Sequence, residues 1–270
     1  SAASDVYKRQ YMQCGSNGHY YRLCKGDIMK LYIVGFGPGN YDSMTMEACS
    51  VIERCGLVVG YTTYTDILKK YFPHKEFYST PMKKETDRVK YALERASEGT
   101  ETALICSGDS GVYGMAGLAL ELSADYPNAE ITIVPGITAA LSGGAVLGAP
   151  LTHDFAVISL SDLLTPWEKI KKRLECAAAA DFVICIYNPS SKKRSDYLQK
   201  ACDIMLKFKS CETICGYVKN IGRNGQESGI LTLLQLRDFH ADMFTTVFVG
   251  NSDTKVINNK MVTPRGYKNV

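Results

Sequence analysis

The chain is poor in tryptophan (one residue) and histidine (four), and none of its ten cysteines belongs to a C-x-x-C pair. The missing pairs argue against a thioredoxin-type redox centre and against the common paired-cysteine zinc folds. Cys202, Cys211 and Cys215 are close in sequence, yet their spacing matches no common zinc pattern and no nearby histidine completes a tetrahedron. Cys106 and Cys185 fall within strand-like apolar runs, so packed, reduced thiols and no metal site are expected. A dominant charge is lacking too. The 31 basic and 28 acidic residues leave +3, without the long basic block that binds nucleic acid by neutralising phosphates. No apolar run reaches the roughly 18 residues that span a bilayer, and the stretch Ala177 to Tyr187 is broken by Asp181. Neither nucleic acid nor a membrane is an expected partner, and a soluble, cytoplasmic protein is.

What is present is an ordinary globular composition, 46% hydrophobic and 22% charged over 270 residues. A chain of this size buries roughly 70 to 75% of its unfolded surface, so its core needs no disulfide framework. Residues 1–28 read differently from the rest: polar, tyrosine-rich, with no sustained period and no signal-peptide core. They are expected to be an N-terminal extension outside the fold, with the folded part starting at Met29. From there, strand-like runs alternate with helical patterns. Leu31 to Gly35, Leu57 to Gly60, Thr102 to Ser107 and Ile131 to Val134 are interleaved with helices near Ser43 to Cys55, Asp87 to Ser97 and Met115 to Ser123. That order predicts βαβ units on a mostly parallel sheet. The small-residue segment Thr138 to Ala149 leads into Pro150, Leu151 and Thr152, where the texture changes. Two α/β domains are therefore expected, at residues 29–150 and 151–270. The second comprises strands at Phe155 to Leu160, Phe182 to Tyr187, Thr213 to Val218 and Thr245 to Gly250, helices at Pro166 to Ala178 and Arg194 to Phe208, and a hairpin at Gln226 to Thr232.

Three loops follow strands of the first half. Gly35-Phe36-Gly37-Pro38-Gly39 has the look of a nucleotide turn, but Asn40 stands where the dinucleotide fingerprint wants its third glycine, and Pro38 removes a backbone donor. A plain tight turn and a ligand loop both remain open. In Ser107-Gly108-Asp109-Ser110-Gly111-Val112-Tyr113-Gly114, Asp109 is either a ligand group or a helix N-cap. The third loop, Pro135-Gly136-Ile137-Thr138-Ala139-Ala140, is of the same type, and three such loops at strand ends point to one shared crevice. In the second half, Tyr187-Asn188-Pro189-Ser190-Ser191 ends a strand, with Lys192, Lys193 and Arg194 behind it either as an anion-attracting cluster or as a solvated helix start. His153-Asp154 and Ser159-Leu160-Ser161-Asp162 gather protonatable groups near the junction, and His153 is the histidine with a candidate functional role.

In this order, GFGPG, SGDSGVYG and PGITAA resemble the tetrapyrrole methylase family, which transfers methyl groups from S-adenosylmethionine to corrin-pathway macrocycles. Met82-Lys83-Lys84-Glu85, the stretch from Leu151 to Glu168, IYNPSS from Ile186, VKNIGR from Val218, VGNSDT from Val249 and MVTPRGY from Met261 are most similar to the members that methylate precorrin-3B at C17. The likeness runs from Met29 to Tyr267. It implies two α/β domains, each a mixed sheet flanked by helices, with the cofactor in the cleft between them, usually in a homodimer. Carried over by position, the implied cofactor contacts in the first domain are Pro38, Ser107, Gly108, Asp109, Val112, Thr138 and Ala139. In the second they are Tyr187, Asn188, Asn220, Thr245 and Thr246. The implied reaction in cobalamin biosynthesis joins C17 methylation to ring contraction. Precorrin-3B would give precorrin-4, or cobalt-factor III would give cobalt-precorrin-4, with cobalt present only as part of the substrate. Contraction asks for a base, and His153, Asp154, Ser161 and Asp162 are the unranked candidates. The substrate's many carboxylates make Lys83, Lys84, Lys192, Lys193, Arg194 and Arg223 candidate binding partners. A sibling methylase acting at another ring position and a non-catalytic tetrapyrrole-binding protein are the alternatives.

Overall fold

The computed structural model describes residues 29–191 and 193–267. The expected extension at 1–28 and the candidate Lys192 lie outside the described residues. Strands β1 (Met29–Gly35), β2 (Leu57–Tyr61), β3 (Glu76–Thr80), β4 (Thr102–Cys106) and β5 (Ala129–Val134) form a sheet in the order β3-β2-β4-β1-β5, with every neighbouring pair parallel. Side chains alternate between its faces, as the strand period requires. Tyr32 and Val34 pack with helix α1 (Met46–Arg54) and with Leu68 of α2 (Thr62–Leu68). Leu31 and Ile33 pack with α3 (Glu85–Ser97) and α4 (Ala116–Leu122). Both faces are covered, so the central strands read as continuous apolar runs. Helix α1 starts where Thr45 caps it, its Oγ1 accepting from the Ala48 N–H at 3.0 Å.

Beyond Val134 the chain crosses to a second sheet. It forms helix α5 (Ala139–Leu147), the short strand β6 (Gly148–Ala149), and then β7 (Phe155–Ser159), β8 (Val183–Tyr187), β9 (Ile214–Lys219), β10 (Glu227–Thr232) and β11 (Thr245–Val249). The order is β10-β9-β11-β8-β7. Strands β7 and β8 are parallel, β11 runs antiparallel to both β8 and β9, and β10 is antiparallel to β9. The fold is α/β, with a wholly parallel first sheet and a mixed second one. Helices α6 (Trp167–Ala179), α7 (Tyr197–Met205) and α8 (Leu233–Arg237) cover one face of the second sheet. Helix α5 covers the other, where Ala140 and Leu147 pack on Cys185, Val218 and Phe248. A hairpin of β12 (Lys255–Ile257) and β13 (Lys260–Val262) attaches to β6.

Helix α5 carries no sequence signal of amphipathicity because nearly all its residues are small or apolar, and its smallness has a packing cause. A Cβ on Gly143 would come within 2.9 Å of the Phe248 ring and 3.0 Å of Ile221. On the facing strand, a Cβ on Gly216 would come within 2.7 Å of Leu147. Strand β3 escapes sequence detection for the opposite reason: it is an edge strand in which Thr80 alone is buried. Burial pushes the thiols of Cys106 and Cys185 up to about 11 and about 12, so both remain protonated packing groups. Among the described residues no helix is long and apolar enough to cross a membrane.

Helix propensity alone favours Val over Gly at position 143, but overpacking a filled contact costs about 1–3 kcal/mol. Gly143→Val is therefore expected to lower the urea midpoint; an unchanged or raised midpoint would show that α5 does not press on the second sheet.

Candidate active site

Because the first sheet is parallel, the carboxyl ends of β4, β1 and β5 lie side by side on one edge, the place where ligands bind in open α/β sheets. Their loops touch backbone to backbone. The Gly37 N–H donates to the Gly108 carbonyl at 3.0 Å, and the Gly108 N–H donates back to Gly37 at 2.8 Å. A Cβ on Gly35 would lie 2.7 Å from the Gly136 nitrogen, and one on Gly136 would overlap the carbonyl oxygens of Gly35 and Gly108. The mutual approach of the loops thus requires glycine at positions 35 and 136.

Asp109 ties these loops together. Its Oδ1 accepts from the N–H groups of Gly111 (2.8 Å) and Val112 (3.1 Å), and its Oδ2 accepts from Gly136 (2.9 Å). Sequence reasoning offered a cofactor contact or a helix cap for this residue. The carboxylate accepts from three backbone donors and is not among the cleft-lining residues, and α4 starts only at Ala116.

The second sheet closes the cleft from the other side. With β11 antiparallel to β8 and β9, its amino end stands beside their carboxyl ends, which brings Thr245 and Thr246 next to Tyr187, Asn188 and Asn220. Among the described residues, three side chains hydrogen-bond across the cleft. The Tyr187 hydroxyl lies 2.6 Å from Thr138 Oγ1 and accepts from the Ala140 N–H at 2.6 Å. Burial raises its pKa, so the phenol stays neutral. The Tyr113 hydroxyl donates to the Val157 carbonyl and accepts from the Ser159 N–H, both at 3.1 Å. Tyr113 adopts φ +55°, a conformation a bulky residue holds only when its surroundings fix it. From the loop after β9, Arg223 donates through Nε to the Pro38 carbonyl (3.0 Å) and through Nη2 to Ser107 Oγ (2.8 Å). The cleft so formed has a volume of about 340 Å³.

Every expected cofactor contact except Asp109 lines this cleft. Of the expected substrate cations, Arg223 alone does so among the described residues. Lys83, Lys84 and Lys193 are exposed, Lys84 pairs with Asp87 at 2.9 Å, and Arg194 faces Asp162 at 3.5 Å. The four candidate bases also stand outside the lining. His153 is exposed, its Nδ1 accepting from the Asp154 N–H at 2.9 Å, and Asp154 is 83% exposed. Asp162 accepts from the Tyr197 hydroxyl at 2.6 Å, a bond that raises the Tyr197 pKa. The Ser161 N–H donates to Ser159 Oγ at 3.2 Å, and that hydroxyl also accepts from Asn188 Nδ2 at 3.0 Å. The cleft holds groups that the sequence did not single out: Tyr61, Tyr64, Arg88 and Phe244. Glu85, also in the lining, lies in the MKKE segment that carried part of the resemblance. Arg88 falls on the buried stripe of α3 with Val89, Ala92, Leu93 and Ala96, but its charge in a heavily charged helix masks it in the sequence.

A parallel sheet facing a mixed one across a glycine-walled cleft defines a two-lobed α/β protein with a small-molecule-sized cleft between the lobes. Residues 30–237 match the sequence profile of the tetrapyrrole (corrin/porphyrin) methylases, and the chain belongs to this family. A probable cobalt-factor III C(17)-methyltransferase of Salmonella typhimurium is 46% identical over 238 residues, spanning 88% of this chain and 99% of the relative. A precorrin-3B C(17)-methyltransferase of a Sinorhizobium species is 35% identical over 246 residues, spanning 88% and 96%. The crystal structure of the methyltransferase CobJ superposes with a TM-score of 0.78 at 33% identity, covering 87% of this chain and all of that one.

Asp109→Ala removes the acceptor for three N–H groups, and leaving donors unsatisfied costs about 1–3 kcal/mol. Amide exchange at Gly111, Val112 and Gly136 is expected to speed up in this variant while strand amides of the second sheet keep their rates. Unchanged exchange at those three positions would remove the clamp from Asp109.

Proposed function

We propose that the chain is an S-adenosylmethionine-dependent C17-methyltransferase of cobalamin biosynthesis, acting with ring contraction on cobalt-factor III to give cobalt-precorrin-4. The observation that carries this reading is near-complete two-way coverage at 46% identity with a relative of that name. The cobalt-bearing substrate is favoured over precorrin-3B because the relative named for the metal-free substrate is only 35% identical over a similar span.

The residues present fit the donor. Bare backbone at Gly108, which adopts φ +72°, lines the cleft with Thr138 and Ala139, and Tyr187, Asn188 and Thr246 add neutral hydroxyl and amide groups. When bound, S-adenosylmethionine would supply a methyl group activated on a sulfonium, open to in-line attack by a ring carbon as the neutral thioether leaves. The chain's contribution is orientation and exclusion of water: rigid loops fix one reactant, and the opposed lobes hold the other near attack distance. Among the described lining residues Glu85 is the sole carboxylate, in keeping with a transfer step that needs no strong acid. A base for ring contraction has to reach the cleft, which favours Glu85 over His153, Asp154, Ser161 and Asp162. Packing of α5 on the second sheet supports a lobe boundary between Val134 and Ala139, ahead of residue 150. The reading includes the homodimer and the cytoplasmic setting that the family likeness implies.

Incubation with methyl-labelled S-adenosylmethionine and cobalt-factor III is expected to give a labelled, ring-contracted product by mass spectrometry. Label without contraction would assign the chain to a sibling methylase, and pigment binding without label would make it a tetrapyrrole-binding protein.

A further inference from the structure

Two arginines line the cleft with no carboxylate partner among the described residues. Arg88, on α3, is 3% exposed. Its Nε donates to Thr80 Oγ1 at 2.8 Å and its Nη2 to the Pro81 carbonyl at 3.1 Å, while Nη1 reaches only the thioether of Met115 at 3.5 Å. Arg223 uses Nε and Nη2 on Pro38 and Ser107, and its Nη1 donates to nothing among the described residues. By contrast, Arg95, Arg194 and Arg237 each face a carboxylate.

Burial lowers the pKa of both cleft arginines, an effect that the Glu85 charge offsets only in part at Arg88. Guanidinium nonetheless remains protonated, so two desolvated cations face one cleft. A buried charge satisfied only by neutral groups is destabilising until an opposite charge arrives. The two are also linked through aromatic rings. Arg88 lies 5.9 Å from the centre of the Tyr61 ring and Arg223 5.9 Å from that of Tyr64, and the two rings meet edge to face at 5.1 Å. Arg88, Tyr61, Tyr64 and Arg223 thus form a run of aromatic contacts with a cation at each end.

We infer that Arg88 and Arg223 are specificity-determining residues that receive carboxylate groups of the bound ligand at the two ends of this aromatic run. The inference rests on the cleft being the ligand site proposed above and adds Arg88 to it. Two sources of carboxylate exist: the acidic side chains around the macrocycle, and the single aminoacyl carboxylate of the donor. Separated cations linked by an aromatic contact match the first, a ligand with several acidic arms.

Binding without turnover tests this independently of the ring position that is methylated. Uroporphyrin III, an octacarboxylate, is titrated by fluorescence quenching and S-adenosylhomocysteine by calorimetry, with 5′-methylthioadenosine as a donor fragment lacking the carboxylate. Arg88→Met and Arg223→Met are each expected to weaken uroporphyrin binding about tenfold or more, as loss of a charge-assisted hydrogen bond does, with Arg88→Lys keeping most of the affinity. Weakened S-adenosylhomocysteine with unchanged methylthioadenosine would support the receptor and assign the carboxylate to the donor. Undiminished affinity for both acidic ligands in variants with wild-type circular dichroism would overturn it. Should Arg88→Met not fold, Arg223→Met and Arg88→Lys carry the same comparison.

Discussion

The cleft depends on a backbone contact that side chains would forbid. Gly35, Gly108 and Gly136 meet at the ends of three adjacent parallel strands, each standing where a Cβ on another would collide. Backbone alone does not hold such loops in register, since N–H groups at strand ends are otherwise satisfied by water. The Asp109 carboxylate supplies the missing acceptor, binding its own loop at Gly111 and Val112 and the neighbouring loop at Gly136. The first-lobe wall of the cleft is therefore a preformed backbone surface. This also accounts for the failure of the dinucleotide pattern: Gly37 is spent on Gly108, and Pro38 offers a carbonyl to Arg223.

From that wall the second lobe is positioned by few but specific contacts. Gly222, at φ +67°, brings the loop after β9 so close that a Cβ there would lie 2.6 Å from Asn40 Oδ1. Arg223 then crosses to Pro38 and Ser107, Tyr187 reaches Thr138 and the start of α5, and Tyr113 reaches the edge strand β7. The antiparallel setting of β11 matters as much, because it presents Thr245 and Thr246 at the same edge as the ends of β8 and β9. One cleft thus draws on loops scattered from Pro38 to Thr246.

How much of this the sequence disclosed follows from where each signal resides. Glycine clusters after apolar runs are local features, so the three first-lobe loops were legible, while the second-lobe lining came only from the family resemblance. The role of Asp109 was not, because its decisive partner, Gly136, is 27 residues away. Helix α5 was hidden because close packing on Phe248 and Ile221 demands small residues that erase the polar face. Arg88 was hidden inside a helix whose charges elsewhere are solvated. His153 and Asp162 drew attention by residue type, yet the fold directs the first to the surface and the second to Tyr197 and Arg194. Residue type announces chemistry, but only the tertiary path decides which cavity it faces.

The central claim is that the backbone-walled cleft between the two sheets is the seat of the methyl donor. A crystal structure of the protein with S-adenosylhomocysteine tests it most directly. The account predicts the ligand between the sheets, against Gly108, Thr138 and Tyr187, with the Asp109 bonds to Gly111, Val112 and Gly136 intact. A ligand seated outside that cleft, or a direct bond from the Asp109 carboxylate to the ligand at the expense of those amides, would contradict it.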